Sequence, residues 1–299
     1  SSMRGGVKHL RLVAVGILLA GLLPSREASA LRRSSESFCW PNAWERGIYQ
    51  AKIASTGKPL WEVRWETRVL QDRDQLWVEV TEQGQGQPWR YKEPILWEKR
   101  MRFSPEPAMQ VHSVEGSRWS TEGKLLSQMD LRADPAGKRI LYKDREIDGS
   151  IQEETAPFGP HVLPDELLFH WARTLAFDLS PAQEGERSLA GECLLLVSPS
   201  RRFRMRAFVY GTEEVATPAG TFSCFRVELT PNLGPLKLLP IKGVIPKIVL
   251  WCTSDPPHHW VRYEGPVGGP GSPQAVIELV RFDQESEDAH PLRSVRADF

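Results

Sequence analysis

The densest gathering of groups able to do chemistry is Cys252, Asp255, His258 and His259. Imidazole and carboxylate are zinc ligands. Consecutive residues on a strand point to opposite faces, however, so His258 and His259 do not converge on one ion, and Asp255-Pro256-Pro257 carries turn chemistry. A second candidate is His170, beside Trp171 and near Asp165, in the position of a general base. No nucleophile accompanies it, so a core or helix-surface histidine is the preferred reading. The chain has no nucleophile elbow, no Gly-rich phosphate loop after a strand and no His-Glu-x-x-His. The sequence thus assigns no catalytic residue, no cofactor and no metal, and it reads as non-enzymatic.

Binding chemistry is better represented. Eleven tryptophans recur along the chain. They fill a thick β core or line an apolar cleft, since each buries a large area and brings one N–H. Trp61, Val63, Trp65, Trp171, Leu236, Leu238 and Trp251 are the candidate lining of such a cleft. Arg202, Arg204 and Arg206 alternate with Phe203, Met205 and Ala207, so three cations share one strand face. They suit an anionic head group, or form a wet face paired with acids such as Glu213 or Glu214. Of the four cysteines, Cys224 and Cys252 lie on strands close in sequence and form the favoured pair; buried free thiols are the alternative.

The elements that must position these residues are strands. In Leu60–Val69, Trp61, Val63, Trp65, Thr67 and Val69 alternate with Glu62, Arg64, Glu66 and Arg68. That strict period of two predicts a strand with one buried and one wet face, in an antiparallel sheet. Further short strands follow with turn signals between them: 76–82, 95–103, 108–114, 125–131 and 139–144. Gln83–Pro88 reads as a loop and Asp148–His161 as an irregular connection. One helix is expected over about Pro164–Phe177, with Asp165 and Glu166 at its positive end. Strands resume at 192–197 and 201–210. A hairpin follows over 211–228, turning at Pro218-Ala219-Gly220 as a type II turn. Residues 230–247 hold four prolines among apolar residues, which forbids a regular helix or central strand. This segment reads as a core cap or the mouth of a pocket. Strands at 247–253, 260–264 and 275–282 complete the set.

Residues 1–30 have the pattern of a secretory signal: Arg4, Lys8 and Arg11, then an apolar run over 12–23, then Ala28-Ser29-Ala30. The apolar run is shorter than the ~20 residues a helix needs to span a bilayer. No transmembrane span is expected after its removal. The formal charge is zero; without residues 1–30 four basic and one acidic residue are lost and it becomes −3. So mild a balance argues against nucleic acid as a partner. The expected organisation is signal 1–30, a polar lead-in 31–43, one β-rich domain over 44–282, and a disordered tail over 283–299. The domain either forms one sheet or divides into two sub-sheets near 148–161.

The Thr217–Phe222 turn, T-P-A-G-T-F, preceded by Gly211 and Glu214, resembles a bacterial periplasmic family known as domain of unknown function 3108. Asp165–Phe177, with Arg173, and Ile248–Glu264 are similar to the same family, and the resemblance extends over about 45–282. It implies a periplasmic, β-rich, non-catalytic module of the cell envelope. The fold expected is a curved antiparallel sheet, a barrel or half-open clamp, with one main helix packed on it. A single helix covers only part of the apolar face. The uncovered part is expected to take an apolar or lipid-like ligand. A structural or protein-interaction role in envelope assembly is the alternative.

Overall fold

The computed structural model describes residues 44–72, 75–105, 109–179, 186–232, 248–267 and 272–284. The expected signal segment, the lead-in with Cys39, most of the proline-rich apolar segment with Leu236 and Leu238, and nearly all of the tail lie outside them.

Among the described residues fifteen strands form one sheet. The first eight are β1 (Glu45–Ile53), β2 (Pro59–Asp72), β3 (Gln75–Gly86), β4 (Ile95–Ser104), β5 (Gln110–Ser120), β6 (Leu125–Asp134), β7 (Arg139–Glu146) and β8 (Ile151–Pro157). They make an unbroken antiparallel meander. After β9 (Val162–Pro164) come β10 (Ser188–Ser198), β11 (Arg201–Thr217), β12 (Gly220–Pro231), β13 (Ile248–Thr253), β14 (Trp260–Pro266) and β15 (Gln274–Gln284). β15 returns to pair with β1, joining the two meanders, and β9 runs parallel to β10 at the far edge. The sheet therefore does not divide near 148–161. Its two edges are β8, which lies within that segment, and β9, just beyond it. β9 packs against β5, so the sheet curls into a nearly closed barrel.

The strands form where alternation demands them. β2 and β3 pair without a break from Trp61↔Gly86 to Asp72↔Gln75. Val63, Trp65 and Thr67 are buried, whereas Arg64 and Arg68 are exposed. The segment expected as a loop from Gln83 continues β3 to Gly86, because each of its residues finds a partner on β2 and β4. Residues 148–161 likewise contain a strand, β8, whose Ile151–Thr155 are exposed and polar enough to hide the pattern. The hairpin closes Thr217↔Gly220 around Pro218-Ala219. The positive φ of 139° falls on Gly220 at the head of the return strand, one place beyond a type II turn's glycine position.

The helix is shorter than expected. A 3-10 turn over Asp165–Leu167 leads into α1 (Leu168–Ala172). Pro164 ends β9 rather than opening the helix, and it pairs with Leu196. At Arg173 the backbone N–H donates to His170 at 3.2 Å, and the chain turns as the side chain enters a buried ion pair. Among the described residues no helix is long and apolar enough to cross a membrane.

Candidate functional site

The register of β2 to β8 sorts the inward residues into rows across the sheet. One row is apolar: Val69, Val78, Phe103, Ala133, Ile140 and Ala156 are aligned pair by pair or nearly so, with Val111 bridging a bulge. The next holds Val80, Met101, Val114, Leu131 and Tyr142, and all five are buried. The third changes character: Trp65, Glu82, Lys99, Gly116, Met129, Asp144 and Gln152. Two apolar rows therefore give way to a charged row partway along the barrel.

The short helix seals the apolar end. Leu167 and Ala172 are fully buried. Phe169 stacks on Trp260 with centroids 4.7 Å apart, and His170 lies 5.5 Å from Phe103. Arg173 reaches across to β1 and donates to both Glu45 carboxylate oxygens at 3.2 Å; its Nε donates to the Pro257 carbonyl at 3.1 Å. Both side chains are almost wholly out of water, so each charge depends on the other. Burial pushes the Glu45 carboxyl up, and Arg173 pulls it back. His259 Nε2 stands 3.5 Å from Glu45 and is neutral: burial, then Arg173, holds it well below the ordinary range. Burial and the nearby Arg173 and Lys99 push His170 down to about 3, and its Nδ1 has no hydrogen-bond partner. A base that weak, enclosed by Phe103, cannot take a proton near neutral pH.

In the polar row Lys99 meets Glu82 at 3.5 Å. Burial opposes its charge, but Glu82, Glu166 and Asp165 outweigh burial and hold the ammonium above its usual range. Burial and the neighbouring Glu166 push Asp165 well above the carboxylate range. The Tyr142 hydroxyl is buried here without a partner. His258 and His259 diverge: His258 Nδ1 lies 2.9 Å from the Thr253 carbonyl, and His259 turns toward Glu45. Among the described residues no three His, Cys, Asp or Glu side chains gather to hold a metal ion.

The expected cleft lining divides. Val63 and Trp65 belong to the packed core, where Trp65 stacks on Tyr49 at 5.7 Å. Trp171 is buried under Gly191, whose Cβ position lies 3.2 Å from its ring. Trp251 is not in the cleft. It pairs with Arg226 and Arg262 on the outer face, beneath the Arg262 guanidinium, and its indole N–H donates to Glu213. Cys224 and Cys252 are not bridged; both are buried thiols, as is Cys193. Cys224 pairs with Thr253 and Cys252 with Phe225, so the two side chains leave opposite faces of the sheet.

Trp61 borders an open space. A groove of about 580 Å³ at the end of the barrel opposite the helix is walled by Ala51, Leu60, Trp61, Ile95, Leu96 and Val280. Its rim is polar, with Lys52 2.6 Å from Glu278 and Gln50 2.8 Å from Glu62. Trp61 meets Trp97 edge-on at 6.2 Å. Trp97 fits because Gly84 lies beneath it; a Cβ there would sit 2.0 Å from the indole. Two residues further along the same face is Lys99, so this aromatic pair stands between the groove and the charged row. This space lies at the barrel end where β1 turns into β2 and β3 into β4. Leu60, Ile95 and Leu96 lie within the first two residues of β2 and β4, where alternation alone gives little sign of a cleft.

No protein-family model and no curated protein matches the chain. Three solved structures are similar in part. A β-barrel-like protein of domain of unknown function 1849 from Brucella abortus has a TM-score of 0.45 at 8% identity, over 82% of this chain and 98% of that one. A protein proposed to be exported, with a YmcC-like fold, from Bacteroides fragilis scores 0.32 at 12% identity over 80% and 95%. A protein proposed to be a lipoprotein, from Parabacteroides distasonis, scores 0.33 at 11% identity over 82% and 97%.

Proposed function

We propose that the chain is a non-enzymatic binding protein of the bacterial envelope that holds an apolar or lipid-like ligand at the mouth of its barrel. The observation carrying this reading is the groove walled by Ala51, Leu60, Trp61, Ile95, Leu96 and Val280. Its volume lies within the range of small-molecule sites, ~300–1,000 Å³, and its walls are apolar with a polar rim. The helix itself is packed against Trp260, Phe103 and Gly191. The envelope setting rests on the signal-like pattern of residues 1–30 and on the resemblance of the 211–228 hairpin to domain of unknown function 3108. The absence of catalysis is supported by the weak, enclosed His170 and by buried thiols that burial makes poor nucleophiles: Cys193 and Cys224 are pushed up to about 12.

Native mass spectrometry of protein isolated from the periplasm, followed by organic extraction, tests this. A co-purifying apolar species released on extraction supports the reading. A chain that takes up no apolar molecule, even when offered in excess, contradicts it.

A second reading is favoured by one feature, the position of β8 at the edge of the sheet. Ile151–Thr155 are exposed, and among the described residues β7 is the strand that pairs with it. An edge of this kind accepts an added strand from a partner protein.

A further inference from the structure

The curl of the sheet brings together cations that are distant in sequence. Lys138 lies in the turn between β6 and β7, Arg139 opens β7, and Arg202 follows the turn between β10 and β11. All three line one notch of about 410 Å³ at the seam where the two ends of the sheet approach. Thr155 and Ser200 bring hydroxyls to the same notch, and among the described residues no carboxylate lines it.

The local geometry keeps these charges available. Asp134 is the acid nearby, and it is engaged: its carboxylate accepts from Gly137 N–H at 2.9 Å and from Arg139 Nε at 2.9 Å. That bond uses the Nε of Arg139. Lys138 holds a left-handed backbone, φ 50°, and its carbonyl accepts from Phe158 N–H at 3.1 Å, which ties the turn to the end of β8. Arg202 pairs across the strands with Leu196, so no acid stands opposite it. Further along the same face, Arg206 is instead neutralised by Glu192. The arginine row thus divides, one end ion-paired and the other pointing into the notch.

We infer that the seam notch is a binding site for a phosphate-type anion, held by Lys138, Arg139 and Arg202 with Thr155 and Ser200 as neutral donors. Three cations, of which Arg139 also meets Asp134, and two hydroxyls around a concave site suit a tetrahedral oxyanion, and the arginine forks favour oxygen pairs. The site is separate from the mouth groove, with no lining residue in common, and it stands whether or not an apolar ligand binds there.

The test uses the full chain at low ionic strength. Inorganic phosphate is titrated by calorimetry, and vesicles of phosphatidylglycerol and phosphatidylcholine (with pure phosphatidylcholine as reference) are tested by co-sedimentation. Lys138→Glu/Arg202→Glu is compared with Arg64→Glu/Arg100→Glu, which changes net charge equally on a remote outer face. Both variants alter only exposed residues, and their melting temperatures are checked against the parent. The expected result is saturable binding weakened at least about tenfold in the seam variant, unchanged in the control, and reduced by salt. Binding of free phosphate identifies a soluble source; binding of the anionic vesicles alone identifies a lipid head group. Absence of both, or equal loss in the two variants, overturns the proposal.

Discussion

Replacing His170 with phenylalanine should change how stability depends on pH while leaving neutral stability almost untouched. The imidazole lies on α1 against Phe103, is buried, and has no partner for Nδ1. The charged groups acting on it are Arg173 on its own segment and Lys99 from β4, and both add to burial in depressing its affinity for a proton. Its ordinary value is 6.5 and its folded value about 3. A base whose folded pKa is depressed contributes stability that is fully present above the unfolded value and is lost as pH falls. Above pH 7 both states are neutral and nothing is lost. Between 6.5 and 3 the unfolded chain binds a proton that the folded chain refuses. At pH 5 this amounts to ~2 kcal/mol against folding. For a domain of this size that is roughly 4–8 °C in Tm. Phenylalanine has a similar shape, keeps the contact with Phe103 and cannot be protonated. His258 and His259, also depressed, remain in both proteins and cancel. Thermal unfolding followed by circular dichroism should therefore show His170→Phe within about 1 °C of the parent at pH 7.5, and about 4–8 °C above any such offset at pH 5. Parallel curves across that range would refute the reasoning, because they would mean His170 titrates normally and is reached by water.

Arg173→Ala leaves Glu45 charged and buried, and should cost ~3–5 kcal/mol; the double variant Glu45→Leu/Arg173→Met should melt above either single one, and a double variant no better than the singles would contradict the pairing. Gly84→Ala forces Trp97 off its seat; we expect a loss of ~1–3 kcal/mol and a red shift of tryptophan emission as the Trp61–Trp97 contact opens, and unchanged emission would count against it. Cys193, Cys224 and Cys252 should resist a thiol reagent at pH 8 in the native state and react once denatured. A peptide map with Cys224 joined to Cys252 would show that the strands pair in another register.

Some of this architecture was legible in the sequence, and the reason is local. The Trp/Val and Glu/Arg faces of β2 declare themselves within ten residues, as does the Pro-Ala-Gly hairpin, because alternation and turn chemistry are short-range. Other features depend on pairs far apart in the chain. Glu45 and Arg173 are 128 positions apart, and nothing near either residue marks it as half of a buried ion pair. Lys99 occupies an inward position in a strand whose other inward residues are Ile95, Trp97, Met101 and Phe103, so alternation alone places it in the core. Only the register with Glu82 explains its charge. The helix was overlong in the sequence reading because its apolar spacing continues past Ala172, whereas Arg173 must turn inward to reach β1. Trp251 has the composition of a core residue but lies on the wet face, where Arg226, Arg262 and Glu213 surround its ring.

The central claim is that an apolar ligand occupies the barrel mouth at Trp61. Its most direct test is titration of a lipophilic fluorescent probe into the parent, Trp61→Glu and Trp251→Glu proteins. A single saturable site that survives in Trp251→Glu and is lost in Trp61→Glu is the predicted result. No saturable binding, or binding equally retained in Trp61→Glu, would contradict it.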